Sequence, residues 1–272
     1  MITNTRPHAL VTGASSGIGA SFAERLAHDG YDLIIVARRS DRLEVLAQSL
    51  QASHQVHVEV LVADLSKSDS LRTVENKIAE DSNLEILVNN AGFGGYKPFV
   101  ELDPDQAEEQ INLQVVAVTR LTRAALPGML ARKHGAIINV SSRLAFSGAM
   151  GSAQMPKRAT YAGTKAYINT FSQLVQSEIE GSGVQVQALC PGLVETEFHS
   201  HVGTDTSHFP AGMVMKPEDV VEASLAGLKL GEVICVPALE DASLLTQIQE
   251  SEKKFFETSR MGILAQRYKG TQ

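Results

Sequence analysis

Short apolar runs rich in β-branched residues recur along this chain, and a stretch with helical spacing separates each from the next. The runs are His8–Gly13, Asp32–Arg38, Val56–Leu65, Leu84–Gly92, Gly135–Ser142, Val184–Gly192 and Val233–Pro237. Most are continuously apolar rather than alternating, the pattern of parallel strands covered on both faces. Between them, Ile18–His28, Arg42–Gln51, Ser68–Glu80, Asp103–Lys133, Lys157–Glu180 and Pro217–Lys229 carry a helical period. Strand, helix and strand in series imply right-handed crossovers. The pattern predicts an α/β fold: a doubly wound, parallel, seven-stranded sheet with helices on both faces. The 272 residues suit one such domain, with 240–272 as a helical tail. In that tail, Leu244, Leu245, Ile248, Phe255 and Phe256 alternate with charges, which predicts a half-buried helix packed on its own domain or against another subunit.

Composition narrows the function. The net charge of −7, with both signs mixed along the chain, argues against a nucleic-acid surface, which needs a basic face. No apolar stretch is long enough to span a bilayer, and the polar Met1–His8 segment lacks the apolar core of a signal peptide. A soluble, cytoplasmic protein is expected, with no membrane partner. Cys190 and Cys235 each sit in an apolar run and are expected to be buried thiols; two cysteines make no disulfide framework or zinc motif. Two long loops follow strand ends, at Arg143–Thr160 and Leu193–Met215, on the edge where open α/β sheets bind ligands. The second holds His199, His201 and His208. No carboxylate cluster at fixed spacing accompanies them, so no metal is expected.

The first strand runs into Gly13-Ala14-Ser15-Ser16-Gly17-Ile18-Gly19 and then a helix. Such a loop lets backbone approach a pyrophosphate where a Cβ would collide, and the helix offers free N–H groups to the phosphates. The second strand ends at Ala37-Arg38-Arg39. A site selecting NAD would place a carboxylate there for the ribose 2′-hydroxyl; alanine removes it, and Arg38 or Arg39 offers a guanidinium to a 2′-phosphate, with Arg38 preferred. NADP(H) is the expected cofactor. The competing reading is that the arginines only solvate the next helix.

Tyr161 and Lys165 lie four apart, so on a helix they share a face. A phenol with its ordinary pKa of about 10 is a poor acid–base group at neutral pH; a neighbouring ammonium together with a positively charged oxidised nicotinamide is expected to stabilise the phenolate and bring it toward working range. Tyr167, with Phe171 four residues on, is read as helix packing.

Thr12-Gly13-Ala14-Ser15-Ser16-Gly17-Ile18-Gly19, Asn89-Asn90-Ala91-Gly92, Tyr161-x-x-x-Lys165 and Pro191-Gly192 occur in the order and spacing of short-chain dehydrogenases/reductases, which residues 8 to 238 resemble. The resemblance implies a Rossmann-like domain in which Tyr161 is the general acid/base and Lys165 binds the nicotinamide ribose. It implies that Ser142, rather than Ser141, holds the substrate oxygen. Asn112 would hold a water that links Lys165 to solvent, or else is a buried asparagine bonded only to backbone. Asp64 would contact the adenine amino group, with the Leu65 backbone beside it, or else caps the next helix. Asn90, Ala91 and Gly92 would support the sheet and admit the ribose. Beyond Pro191 and Gly192, the Val194 backbone and the Thr196 hydroxyl would hold the nicotinamide amide.

The span from Ser142 to Tyr161 is longer than the resemblance implies, so an enlarged loop is expected around Met150–Lys157. With Phe146, Met150, Met155, Phe209, Met213 and Met215 it suggests an apolar pocket for a small carbonyl or alcohol substrate. Relatives commonly pair through the helices corresponding to 103–133 and 157–180, so a homodimer or homotetramer is expected. The alternative function is a non-catalytic dinucleotide sensor or scaffold on the same fold. An extended epimerase or dehydratase is disfavoured by the short segment after the last strand.

Overall fold

The computed structural model describes residues 6–151, 157–197, 209–210 and 212–270. It divides into two compact units, 1–237 and 238–272. In the first, β1 (His8–Thr12), β2 (Asp32–Ala37), β3 (Val58–Val62), β4 (Leu84–Asn89), β5 (Gly135–Val140), β6 (Val184–Leu189) and a late strand (Ile234–Cys235) form one seven-stranded sheet. The pairing is parallel throughout, in the order β3-β2-β1-β4-β5-β6 and then the late strand. The expected doubly wound architecture is therefore present. A two-residue pair, β7 (Leu193–Val194) with β8 (Val214–Met215), lies outside it, which makes the late strand β9.

Continuously apolar strands serve two cores at once. Along β1 and β2, Ala9, Val11, Leu33 and Ile35 face one core, while Leu10, Ile34 and Val36 face the other. The first core is closed by α1 (Gly17–His28), α2 (Ser40–His54) and α7 (Pro217–Leu230), through Phe22, Leu26, Leu43, Leu50, Val221 and Leu225. The second is closed by α3 (Ser68–Glu80), α5 (Ala117–Arg132) and α6 (Ala159–Glu178), through Leu71, Val74, Leu121, Met129 and Val175. Removing every second residue of a strand from water on each side is why no polar alternation appears in the sequence.

The single helix expected over Asp103–Lys133 is α4 (Pro104–Ile111) and α5 joined by a π-helical turn, Asn112–Val116. Asp103 caps its start by accepting from the Asp105 N–H at 2.9 Å. Tyr167 stacks on Phe171, with ring centroids 5.5 Å apart, and shares a 2.7 Å hydrogen bond with Thr119. Both cysteines are buried and free, Cys235 in β9 and Cys190 one residue beyond β6. Among the described residues no helix is long and apolar enough to cross a membrane. The second unit consists of α8 (Ser243–Ser259) and a short 3-10 turn, Gln266–Tyr268.

A buried amide joins β6 to α7. Ser224 Oγ donates to Gln187 Oε1 at 2.6 Å, and Gln187 Nε2 donates to the Ser224 carbonyl at 3.2 Å. Both residues are fully buried, so Ser224→Ala leaves an acceptor without its donor. We expect a loss of about 1–3 kcal/mol in urea unfolding. Thr73→Ala, which removes an exposed bond to the Asp69 carbonyl, should change stability by less than about 0.5 kcal/mol.

Candidate active site

Parallel strands all end at one edge, and chain direction across the sheet reverses between β1 and β4. The crevice there is floored by glycine. Gly13 has φ +67°, and a Cβ on it would lie 2.7 Å from Asn90 Nδ2 and 2.9 Å from Ala91 Cα; one on Gly19 would collide with the Gly13 carbonyl and lie 2.5 Å from Asn90 Nδ2. Asn90 fixes this close approach by donating to the Thr12 carbonyl at 2.9 Å, while Thr12 Oγ1 accepts from the Asn90 and Ala91 N–H groups at 3.0 and 3.1 Å. Gly17 has φ +56° and opens α1, whose N-cap, Ser16, makes no side-chain cap bond. The first-turn N–H groups of α1, beginning with Ile18, thus carry no side-chain cap. This glycine-lined cradle at the N-terminus of a 12-residue helix fits the pyrophosphate of a dinucleotide.

Around the cradle, Arg39 reaches back from the end of β2. It donates to Ser15 Oγ at 2.9 and 3.2 Å and to Ser16 Oγ at 2.9 Å. Arg38 turns away, largely exposed, toward Glu109 at 3.5 Å. Asp64 accepts from the N–H and hydroxyl of Ser66 at 3.0 and 2.7 Å, a local turn one step before α3, while the neighbouring Leu65 is buried. Gly92 borders Gln114, whose Nε2 would be 3.3 Å from a Cβ there. Across the crevice the Pro191 carbonyl accepts from the Arg143 N–H at 3.0 Å, and Gly192 leads into β7. Val194 is buried. Thr196 packs against the cradle, its methyl 2.8 Å from where a Gly17 Cβ would sit.

Tyr161, Lys165 and Ser142 converge beside this cradle, and all three are buried. Ser142 is the N-cap of the short 3-10 turn Arg143–Phe146, with Oγ accepting from the Leu144 N–H at 3.2 Å. Ser141 points elsewhere and donates to the Lys165 carbonyl at 3.0 Å. Lys165 Nζ donates to the Val140 carbonyl at 2.8 Å and sits 5.5 Å from the centre of the Tyr161 ring. Burial pushes the Tyr161 phenol above its ordinary value; the nearby Tyr96 adds to this, and the Ser142 side chain opposes it. Burial acts on the ammonium too, bringing Lys165 down to about 8.

Asn112 opens the π turn, half-buried, and its carbonyl accepts from the Ala117 N–H in the long i+5 bond. Such turns are frequent at functional sites because they re-aim side chains within a helix.

Several residues here were not singled out from sequence. Gln114, fully buried in the π turn, accepts from Thr164 Oγ1 at 2.7 Å and donates to the Phe93 carbonyl at 2.6 Å, so it ties α6 to the loop after β4. Tyr96, on that loop, meets Tyr161 edge to face at 6.0 Å. Neither carries a motif; only helix phase for Gln114 could have hinted at burial. Arg42 donates to both carboxylate oxygens of Glu197 at 2.6 and 2.7 Å, and Arg39 donates to the same carboxylate at 3.0 Å. Together they hold Glu197 well below the usual carboxylate range. Of the apolar residues expected at the pocket, Phe146 and Met150 are partly exposed. Met155 and the three loop histidines, His199, His201 and His208, lie outside the described residues. Among those described, no cluster could hold a metal ion.

Comparison with known proteins places the chain in a family. Residues 7–207 match the short chain dehydrogenase family model. The human inactive hydroxysteroid dehydrogenase-like protein 1 is 34% identical over 190 residues, 69% of this chain and 56% of that protein, so the chain spans just over half of that relative's length. A short-chain dehydrogenase from Sphingobium yanoikuyae, solved in complex with NADPH, superposes with a TM-score of 0.90 at 35% identity, covering 96% of this chain and 100% of that one. The bulky-bulky ketone specific alcohol dehydrogenase from Comamonas testosteroni gives a TM-score of 0.87 at 32% identity, covering 98% and 99%. This chain belongs to the short-chain dehydrogenase family of oxidoreductases.

Proposed function

We propose that the protein interconverts a carbonyl compound and an alcohol with NADP(H), using Tyr161 as general acid and base. The observation that carries this reading is the burial of Ser142, Tyr161 and Lys165 at the carboxyl end of β5, with Lys165 Nζ 5.5 Å from the centre of the Tyr161 ring. When bound, the nicotinamide supplies the hydride to the carbonyl carbon. Burial keeps Tyr161 protonated, the form that can donate to an oxygen gaining charge. Ser142 polarises that oxygen through its hydroxyl. Lys165, positive below about 8, stabilises the phenolate left behind, and Asn112 is the route by which a proton returns from solvent. Oxidation of the alcohol runs the same groups in reverse.

Gly13, Ser15, Ser16, Gly17, Ile18 and Gly19 hold the pyrophosphate in this reading, and Asn90, Ala91 and Gly92 flank the ribose. Asp64 and Leu65 bracket the adenine. Pro191, Gly192, Val194 and Thr196 border the nicotinamide. A 2′-phosphate meets Arg39 and Ser15, with Arg38 on the outer side; the likeness to the Sphingobium enzyme, solved with NADPH, supports this preference. The likeness to the Comamonas enzyme supports a ketone with two sizeable apolar groups, set against Phe146, Met150 and Tyr96. The outer faces of the π turn and α6 leave Val116 and Leu174 exposed, which supports pairing of subunits there. A catalytically idle dinucleotide-binding protein is the second reading, favoured by the inactivity of the human relative. The retained Ser142, Tyr161 and Lys165 speak against it.

Tyr161→Phe should bind NADPH normally and lose at least about 100-fold in kcat for ketone reduction. Wild-type turnover by that variant would move the chemistry to another residue, and no turnover by the wild type on a broad ketone panel would favour the idle reading. For the wild type, kcat/KM for reduction should fall as pH rises through about 8, where Lys165 loses its proton; a profile flat to pH 10 would reject that role. Arg39→Asp should swing the NADPH-to-NADH preference toward NADH by at least about 10-fold. Arg38→Asp, assayed beside it, should have the smaller effect.

A further inference from the structure

The guanidinium groups at the end of β2 are already paired, and with a carboxylate. Arg42 contributes one N–H donor shared between both oxygens of Glu197, and Arg39 adds a third contact while its remaining donors hold Ser15 and Ser16. Glu197 is not a distant charge that happens to swing inward. It follows Thr196, whose methyl packs against Gly17 at the start of α1, so its backbone is anchored to the phosphate loop itself. Position 37, where an acidic residue would select a ribose 2′-hydroxyl, is alanine. The carboxylate bonded to these arginines therefore comes from the opposite wall of the crevice, far along the chain.

We propose that Glu197 competes with the 2′-phosphate of the cofactor for the Arg39–Arg42 pair and so limits how strongly this chain prefers NADP(H) over NAD(H). The proposal rests on the reading above that Arg39 meets the 2′-phosphate. Two guanidinium groups against one carboxylate leave a net positive site. A phosphate monoester, with a charge between −1 and −2 and three acceptor oxygens, satisfies such a site better than a carboxylate does. It cannot share the pair with Glu197 without placing two anions in contact, which costs both of them. Glu197 must yield for the phosphate to enter. A cofactor with a free 2′-hydroxyl makes no claim on the guanidinium groups and leaves Glu197 where it is. Asp41 adds a longer-range negative field at Arg42 but makes no bond to it in this arrangement.

The test uses equilibrium binding to the intact protein, without turnover. Adenosine 2′,5′-bisphosphate and adenosine 5′-monophosphate are titrated calorimetrically into wild type, Glu197→Gln and Arg39→Gln. The Glu197 side chain is 42% exposed, so the amide removes charge without emptying a core site. Glu197→Gln should tighten the bisphosphate by about three- to tenfold, the range for a pair of exposed ionic contacts, and leave the monophosphate unchanged. Unchanged or weakened bisphosphate binding by Glu197→Gln overturns the competition, and equal tightening of both ligands does so as well. Arg39→Gln should weaken the bisphosphate alone. If it does, the 2′-phosphate reading stands whatever Glu197 does; if bisphosphate affinity is untouched, that reading falls and the competition falls with it.

Discussion

Taking a phenol and an ammonium out of water together is the constraint around which this site is organised. Tyr161 and Lys165 are both buried, and burial moves both toward their neutral forms, the phenol upward and the amine downward. A polar contact from another element accompanies this burial: the Val140 carbonyl at the end of β5 accepts from Lys165 Nζ at 2.8 Å. Protonation of the site is thus set by the surrounding packing, and a change of solvation in the crevice is felt by both groups at once.

That packing follows from the sheet. The Val140 carbonyl is where it is because β5 pairs with β6 along its whole length, Val140 opposite Leu189, and with β4 from Ala136 to Asn139. Beneath the site a buried polar chain runs across the same strands: Asn89 Nδ2 donates to Asn139 Oδ1 at 2.8 Å, and Asn139 Nδ2 donates to Ser172 on α6 at 3.0 Å. Asn89 Oδ1 is left without a partner among the described residues, a polar group in the core whose cost is carried by the rest of the structure. Helix α6 is therefore fixed both by apolar contacts and by directional bonds, which sets the phase at which Tyr161 and Lys165 enter the crevice.

The opposite wall is organised by charge. Arg39, Arg42, Ser15, Ser16 and Glu197 form one connected cluster that spans the end of β2, the phosphate loop and the segment after β7. Exposed ion pairs contribute little to folding individually. Their consequence here is local: they tie the end of β2 to the glycine loop and to the segment after β7.

Much of this protein was legible in the chain itself. Seven apolar runs and the glycine spacing of 13–19 fixed the parallel sheet and the phosphate cradle, because strand burial on two faces and close backbone approach each leave a local mark. The Tyr161–Lys165 spacing is equally local, since one helical turn sets it. Helix continuity over 103–133 was legible too, but not the π turn at Asn112–Val116, whose i+5 bond leaves no compositional trace. The burial that raises the Tyr161 phenol leaves no mark in the sequence, because desolvation depends on everything packed around a group, not on its neighbour four residues on. The contrast between Arg38 and Arg39, the Gln114 bridge and the Glu197 clamp were decided only in three dimensions. Adjacent side chains leave a strand end in opposite directions, and pairs formed by residues more than 150 positions apart are set by tertiary contact alone.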